Sequence, residues 1–124
     1  MSAKTPSLPF AGKCYEVDYG PQVSALNIYN KDSMRMRYKS LVGPSKGATG
    51  VVTYDALDLG NGRYLISWQE VDGGTVVHLD DFRAGISHVF YTTATGDFFR
   101  ARGTLKECDV PSADSATEKQ QDSH

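Results

Sequence analysis

The sequence lacks a long apolar run, a cluster of basic residues and a secretory leader. The ~20 consecutive apolar residues that a membrane helix needs do not occur anywhere. The formal net charge is −2, which gives no basis for attraction to nucleic acid or to an anionic membrane surface. The N-terminus, MSAKTPSLPF, has no apolar stretch of the kind that signal peptides carry. We therefore expect a cytoplasmic protein that binds neither nucleic acid nor membrane.

Motifs for common cofactors and nucleophiles are also missing. There is no dinucleotide fingerprint, no phosphate-binding glycine loop ahead of a helix and no Gly-x-Ser-x-Gly elbow. His78 and Asp80 form a His-x-Asp pair, but no third ligand accompanies them, so the pair is a weak metal signal. The sequence predicts no cofactor and no metal site.

Cysteine is scarce, with two residues in 124. Cys14 opens the first predicted strand and Cys108 follows the last, so they are too few for a disulfide scaffold and too far apart for a zinc motif. Two reduced thiols are the expectation in a reducing cytoplasm. If the strands closed into a barrel, the first and last would become neighbours and the thiols could meet, which leaves a bridge as the alternative.

No segment shows the 3.6-residue apolar period of a helix, whereas alternation with a period of two is frequent. It is clearest from Met34 to Lys39, where Met and Tyr alternate with Arg and Lys. The length, with 40% apolar and 23% charged residues, suits one soluble domain. Eight such segments are separated by short turns rich in Gly, Pro, Asn and Asp. We place these segments at 10–19, 22–30, 34–39, 51–59, 62–71, 75–82, 86–93 and 98–106.

Eight sequential strands with hairpin-length links predict an all-β fold, an eight-stranded antiparallel up-and-down barrel of the lipocalin type. A β-sandwich is the competing architecture, and only the loop at 42–50 is long enough to supply its crossover. The predicted domain covers residues 10–106, after a flexible lead-in at 1–9. Residues 107–124 contain few apolar side chains and are expected to form a disordered tail.

The hairpin from Gly62 to Phe82 holds the only Trp together with several ionisable side chains. Its turn, Asp72-Gly73-Gly74, is typical of tight hairpins. With loops at 72–74 and 83–85, side chains spaced by two would gather on one face of three strands. A slip of one residue would turn a strand's side chains to solvent, so the pattern alone leaves inside and outside open. The gathered side chains would be Trp68, Glu70, His78, Asp80 and His88.

This face predicts a pocket for a small molecule, with Tyr19, Met36 and Tyr38 as further walls. One interpretation is a binding protein for an aromatic or acidic ligand. A second is a lyase or isomerase in which Glu70 or His78 acts as the acid–base group. A third is a scaffold or dimerisation module with a filled core. Homodimerisation is a further expectation, because outward faces are predicted to carry Val52, Tyr54, Val77, Leu79 and Val89.

Three motifs carry a family resemblance: Phe10-x-Gly12 before a tyrosine-rich strand, GRYLISWQE at 62–70, and GTVVHLDDF at 74–82. Over roughly residues 10–106 the sequence resembles the MoaF-like domain of the calycin superfamily. The resemblance implies a small lipocalin-like barrel and carries no defined activity.

The Ser-Trp-x-Glu motif is also similar to that of the phenolic acid decarboxylases, which are calycin barrels with this glutamate inside. That similarity implies an inward Glu70. The family holds its substrate with two tyrosines, of which Tyr19 matches the second whereas Val17 replaces the first. Its loop arginine falls near Gly47, with only Lys46 beside it. Decarboxylation of that substrate class is therefore not predicted.

Overall fold

The computed structural model describes residues 8–110, in which eight strands form one closed antiparallel barrel. Each strand pairs with its neighbours in the sequence, and the first closes on the last. The up-and-down order confirms the predicted barrel and excludes the sandwich. The strands are β1 (Cys14–Asp18), β2 (Ser24–Tyr29), β3 (Arg35–Ser40), β4 (Thr49–Gly60), β5 (Arg63–Gln69), β6 (Thr75–Asp81), β7 (Ile86–Thr92) and β8 (Phe98–Cys108).

Alternation places one side of each central strand in the barrel interior. In β5 the side chains of Tyr64, Ile66 and Trp68 are buried, and their neighbours are not. In β6 the buried side chains include His78 and Asp80. The ionisable face of the central hairpin therefore points inward.

The turns show why the hairpins have their registers. Asn61 and Gly62 both have positive φ, 58° and 81°, as a two-residue type I′ turn between β4 and β5 requires. Between β5 and β6 the loop is 71–73 rather than 72–74, because Glu70 and Gly74 are joined by a backbone hydrogen bond. Trp68 therefore lies opposite Val76 instead of His78. The shift is an even number of residues, so the faces remain as predicted.

The link between β6 and β7 differs from the prediction by one residue, which reverses a face. The carboxylate of Asp81 accepts hydrogen bonds from the backbone N–H groups of Arg83 and Ala84, so the turn starts one residue earlier than predicted. Asp80 consequently pairs with Ser87, and His88 lies opposite Leu79 on the outer face. The predicted inward position of His88 is wrong.

The N-terminal boundary is also different. Residues 8–13 form turns instead of the start of a strand, and Phe10 enters the barrel, where it is 1% exposed. Residues 1–7 of the predicted lead-in and 111–124 of the predicted tail lie outside the described residues. At the other boundary, β8 continues to Cys108, two residues beyond the predicted strand end.

Phe10 closes one end of the barrel. Its ring stacks on Phe82, with centroids 5.1 Å apart, and meets Tyr29 and Tyr64 edge-on at 4.7 and 5.3 Å. Such offset and edge-to-face pairs add to the burial of apolar area. We call this cluster the aromatic plug; it comprises Phe10, Tyr15, Tyr29, Tyr54, Tyr64 and Phe82.

Three side chains that were expected on the outer surface are interior. Val52, Tyr54 and Val89 belong to the buried core, which removes much of the argument for an apolar dimer face. The large apolar residues that are exposed on β4 are instead Val51, Leu57 and Leu59. Within residues 8–110 no helix is long and apolar enough to cross a membrane.

The two thiols meet at the seam where β1 closes on β8. Cys14 and Cys108 are directly opposite in the register, and their Sγ atoms are 2.8 Å apart. The expectation that barrel closure makes them neighbours is confirmed. The structure contains thiols at both positions and no disulfide between them.

Candidate functional site

The end of the barrel opposite the aromatic plug contains a cavity of about 490 Å³. Its walls come from the ends of β1, β3, β5 and β7, the starts of β2, β6 and β8, and the loops near residues 22 and 42–48. The lining is aromatic at several positions and includes buried polar side chains. Six lining residues carry the argument below: Tyr19, Asn27, Tyr38, Trp68, Glu70 and His78.

The structure brings together five of the eight predicted site residues at this cavity: Tyr19, Tyr38, Trp68, Glu70 and His78. Met36 packs in the core at 1% exposure and does not line the cavity. Asp80 lies just beneath the lining, fully buried, and touches His78. His88 is on the outer face, away from the others.

Four side chains at the floor of the cavity form a hydrogen-bonded cluster, which we call the polar network. The hydroxyl of Ser87 donates to Oδ1 of Asp80, and the Tyr19 hydroxyl lies 2.6 Å from Ser87 Oγ. Nδ1 of His78 is 3.2 Å from the Tyr19 oxygen and 3.4 Å from Asp80 Oδ1. The carboxylate is therefore bound to the cavity lining through Ser87 and His78.

Burial and the Asp80 carboxylate both raise the pKa of the nearby tyrosines. Burial is the larger cause, and the neighbouring negative charge adds to it; together they hold the pKa of Tyr19 far above its usual range. The same two causes raise the pKa of Tyr29, in the aromatic plug. Both phenols stay protonated under physiological conditions, so Tyr19 serves as a hydrogen-bonding group rather than as a base.

One ring nitrogen of His78 contacts protein side chains, and the other is left for a ligand. Nδ1 faces the polar network, whereas Nε2 has no hydrogen-bond partner anywhere in residues 8–110. The imidazole lies against Trp68, with ring centroids 5.1 Å apart. A buried imidazole with an accessible nitrogen beside an indole can both bind and exchange a proton with a cavity ligand.

Glu70 is at the mouth of the cavity rather than at its floor. It follows the last residue of β5, and its Oε2 accepts a hydrogen bond of 3.2 Å from Nε1 of Trp68. This bond orients the indole that forms the wall. Of the two predicted acid–base candidates, only His78 is in contact with the buried carboxylate.

Two side chains of the candidate site were not predicted from the sequence. Asn27 lines the cavity at 3% exposure, and its Nδ2 has no hydrogen-bond partner in the described part of the chain. The sequence feature that could have identified Asn27 is that a polar residue lies between Ala25 and Tyr29 on the inward face of β2. Ser87 was not predicted because the wrong register placed His88 inside the barrel and Ser87 outside.

The cavity has an acidic rather than a basic character. No Lys or Arg among the described residues lines it, whereas Glu70 does and Asp80 lies below. In the same range no group of three His, Cys, Asp or Glu side chains is arranged to hold a metal ion. The groups that line the cavity are thus aromatic faces, hydroxyls, the amides of Gln22 and Asn27, the carboxylate of Glu70 and the imidazole of His78.

Comparison with known protein families identifies the family of this chain. A model of the MoaF-like family matches residues 11–106, which covers all eight strands except the last two residues of β8. This chain belongs to the MoaF-like family. The resemblance predicted from the residues is confirmed at that level.

Solved structures are also similar, and one of them matches most of the chain. It is a crystal structure from Burkholderia vietnamiensis that carries the provisional description of a β-lactamase. It is 47% identical, it aligns with 84% of this chain and 100% of its own, and the TM-score is 0.81. No curated protein matches this MoaF-like chain.

Proposed function

We propose that this MoaF-like protein binds a small, partly aromatic molecule in the open end of its barrel. The observation that carries the proposal is the cavity of about 490 Å³, which lies within the usual size range of ligand pockets. Trp68, Tyr38 and Tyr91 provide aromatic walls, and His78 and Asn27 provide polar groups. The cavity also argues against a scaffold with a filled core.

The ligand we infer is neutral. An anion in this cavity would lie near Glu70 at the mouth and Asp80 below the floor, with no lysine or arginine in the lining to offset the repulsion. The aromatic part of the sequence-based expectation is retained, and the acidic part is disfavoured. For the same reason we do not propose decarboxylation of a phenolic acid, since Val17 replaces one carboxylate-binding tyrosine and no arginine lines the cavity.

A matched set of four bicyclic probes tests this proposal. Indane, 1-indanone, indane-1-carboxylate and 1-aminoindane share one ring system and differ in polarity and charge. Ligands that bind only the folded protein raise its stability, by about 2.7 kcal/mol at one hundred times Kd. We expect 1-indanone to raise the Tm and the carboxylate to leave it unchanged. Isothermal titration gives the corresponding Kd values.

Trp68 provides an independent signal, because it is the only Trp in the chain and lines the cavity. Binding should change its fluorescence, and Trp68→Phe should remove that change. Probes that all fail to bind would refute an interior site for neutral aromatics. Tighter binding of the carboxylate than of 1-indanone would refute the charge argument.

The description of the Burkholderia protein suggests a second activity, which this site does not favour. A serine hydrolase needs an exposed hydroxyl whose proton is taken by a base. The serine near His78 is Ser87, which is fully buried and directs its own proton to Asp80. Absence of nitrocefin hydrolysis by the purified protein is the expected result.

A further inference from the structure

The polar network is unexpected for a site that only holds an aromatic molecule. Asp80 and Ser87 are 0% exposed and His78 is 4% exposed, in an interior that is otherwise largely apolar and aromatic. Burial of ionisable groups is unfavourable, and apolar residues of similar volume often give equal or higher stability. Clusters of this kind are concentrated at functional sites. The network therefore points to chemistry as well as to binding.

The hydrogen bonds assign the protons within the network. The single hydroxyl hydrogen of Ser87 is directed to Asp80, which leaves the Tyr19 hydrogen to be donated to Ser87. Nδ1 of His78 then faces two acceptors, the Tyr19 oxygen and Asp80 Oδ1, and must carry the ring proton. In this tautomer Nε2 has a free lone pair, which is what a general base requires.

Asn27 supplies a complementary donor in the same cavity. Among residues 8–110 its Nδ2 is buried without a partner, and an unsatisfied buried donor is unfavourable until a ligand acceptor reaches it. A carbonyl oxygen is the acceptor that best fits an amide N–H. One cavity thus presents a donor for an oxygen atom and an acceptor for a proton.

We propose that this cavity catalyses proton transfer at the carbon next to the carbonyl group of a neutral, ring-bearing ketone or aldehyde. The proposal rests on the proposed function, because the substrate must first occupy the same cavity. It adds a reaction class to that function, an enolisation that leads to isomerisation or to exchange of the proton.

The step balances without a co-reactant. The α-C–H bond breaks, its proton passes to Nε2 of His78, and its electron pair forms the carbon–carbon double bond of an enolate. The carbonyl oxygen takes the negative charge and is stabilised by the hydrogen bond from Nδ2 of Asn27. Return of the proton from Nε2 to carbon restores the imidazole and completes the cycle, so nothing is oxidised or reduced.

The remaining members of the network are positioning residues. Asp80 holds the Nδ1 tautomer and stabilises the imidazolium that forms during the transfer, as buried carboxylates next to histidine do. Ser87 and Tyr19 orient the carboxylate through a hydrogen-bonded chain. Glu70, whose bond is to Trp68, has no place in the transfer.

The test follows the α-protons of 1-indanone in D₂O by ¹H NMR, with 1-indanone binding measured first. General-base catalysis is worth roughly 10²–10⁴-fold, so we expect exchange at least about 100-fold faster than in buffer alone. His78→Gln should return the rate to that of buffer. His88→Gln is the matched control, since His88 is on the outer face, and it should exchange at the wild-type rate.

Two further variants separate the other roles. Asn27→Leu should weaken the preference for 1-indanone over indane and slow exchange, because the oxygen loses its donor. Asp80→Asn should slow exchange by roughly tenfold or more and shift the pH dependence of the exchange rate. Loss of a residue with only a structural role would leave that pH dependence unchanged. Thermal unfolding of each variant verifies that the barrel is intact.

The tautomer of His78 can be measured by NMR. Histidine ¹⁵N chemical shifts should show a protonated Nδ1 and a bare Nε2 for His78 in the wild-type protein, and the reverse tautomer would overturn the proposal. If 1-indanone binds but does not exchange, the catalytic proposal fails and the binding function stands. If no probe of the indane series binds, the proposed function fails, and the catalytic proposal fails with it.

Discussion

The two ends of this barrel are built from the same strands and from similar aromatic residues, yet they have opposite properties. At the closed end, Phe10 fills the interior and its ring is in contact with other rings on several sides. At the open end, Trp68 and Tyr38 surround a cavity, and buried polar atoms lack partners. We infer that the closed end supplies stability and that the open end holds the function.

The largest effect is expected from emptying the closed end. Phe10→Ala should lower the free energy of unfolding by about 3–5 kcal/mol, because a buried ring is replaced by a void. Phe98→Ala is the matched control, since Phe98 is 56% exposed, and its effect should stay within about 0.5 kcal/mol. Urea denaturation measures both. Equal midpoints for the two variants would contradict a stabilising role for the aromatic plug.

Two glycines allow a second comparison. A Cβ at Gly103 would overlap the backbone carbonyl of Asp18 and would also meet the ring of Tyr19, so Gly103→Ala should force β1 and β8 apart and lower stability by about 2–3 kcal/mol. The atoms nearest to a Cβ at Gly50 belong to the side chain of Tyr38, its ring and its hydroxyl, and not to the backbone. Gly50→Ala should therefore have a smaller effect on stability, about 1 kcal/mol, but should alter the cavity wall.

Denaturant midpoints and 1-indanone affinity, measured on both variants, check this pair. We expect Gly103→Ala to lose more stability than Gly50→Ala. We expect Gly50→Ala to lose more affinity for 1-indanone in proportion to the stability that it loses. An unchanged affinity in Gly50→Ala would show that the position of Tyr38 does not limit access.

The smallest effect is expected at alkaline pH. Burial, with the charge of Glu107 as a lesser cause, raises the pKa of Tyr15 to about 12, above the value of about 10 in an unfolded chain. The stability that Tyr15 contributes is therefore complete below pH about 10 and is lost as the pH rises through 12. Tyr15→Phe should flatten the decline of Tm in this window.

Tyr91→Phe serves as the comparison from the open end. Its pKa is raised by burial and by Glu70 and Asp72, but the residue is only partly buried, so the decline of Tm should change less than with Tyr15→Phe. Scanning calorimetry from pH 9 to 12 gives the slopes. A steeper decline in Tyr15→Phe than in the wild type would reverse the sign that we derive.

Much of the fold could be predicted from the sequence because alternation and turn chemistry are local. Asn61-Gly62 and Asp72-Gly73 identified their hairpins, and the period of two placed Trp68 and Glu70 on one face of their strand and His78 and Asp80 on one face of the next. The pattern did not say which face points inward; the similarity of the Ser-Trp-x-Glu motif to a known barrel family did. Trp68, Glu70 and His78 from that hairpin line the cavity, and their role in binding or catalysis stays a prediction. These features depend on residues close together in the chain.

The rest depends on contacts that are distant in the chain or on single-residue differences. Phe10 precedes the first strand, so its entry into the barrel could not be recognised from alternation. β4 carries apolar residues on both faces, with Val51 exposed and Val52 buried, so its phase was ambiguous. The turn that Asp81 starts moved His88 outside and Ser87 inside, because one residue of slip reverses a strand.

The seam between β1 and β8 makes the cavity a property of the whole domain. It joins Cys14 to Cys108 across 94 positions, and the cavity takes its walls from both seam strands, with Tyr19 near the end of β1 and Phe99 in β8. Non-local pairings of this kind form slowly, since the ends of a long chain must first meet. During synthesis on the ribosome, the cavity is complete only after β8 has emerged and paired. If the cavity binds a ligand as we propose, binding would report whether the chain has finished folding.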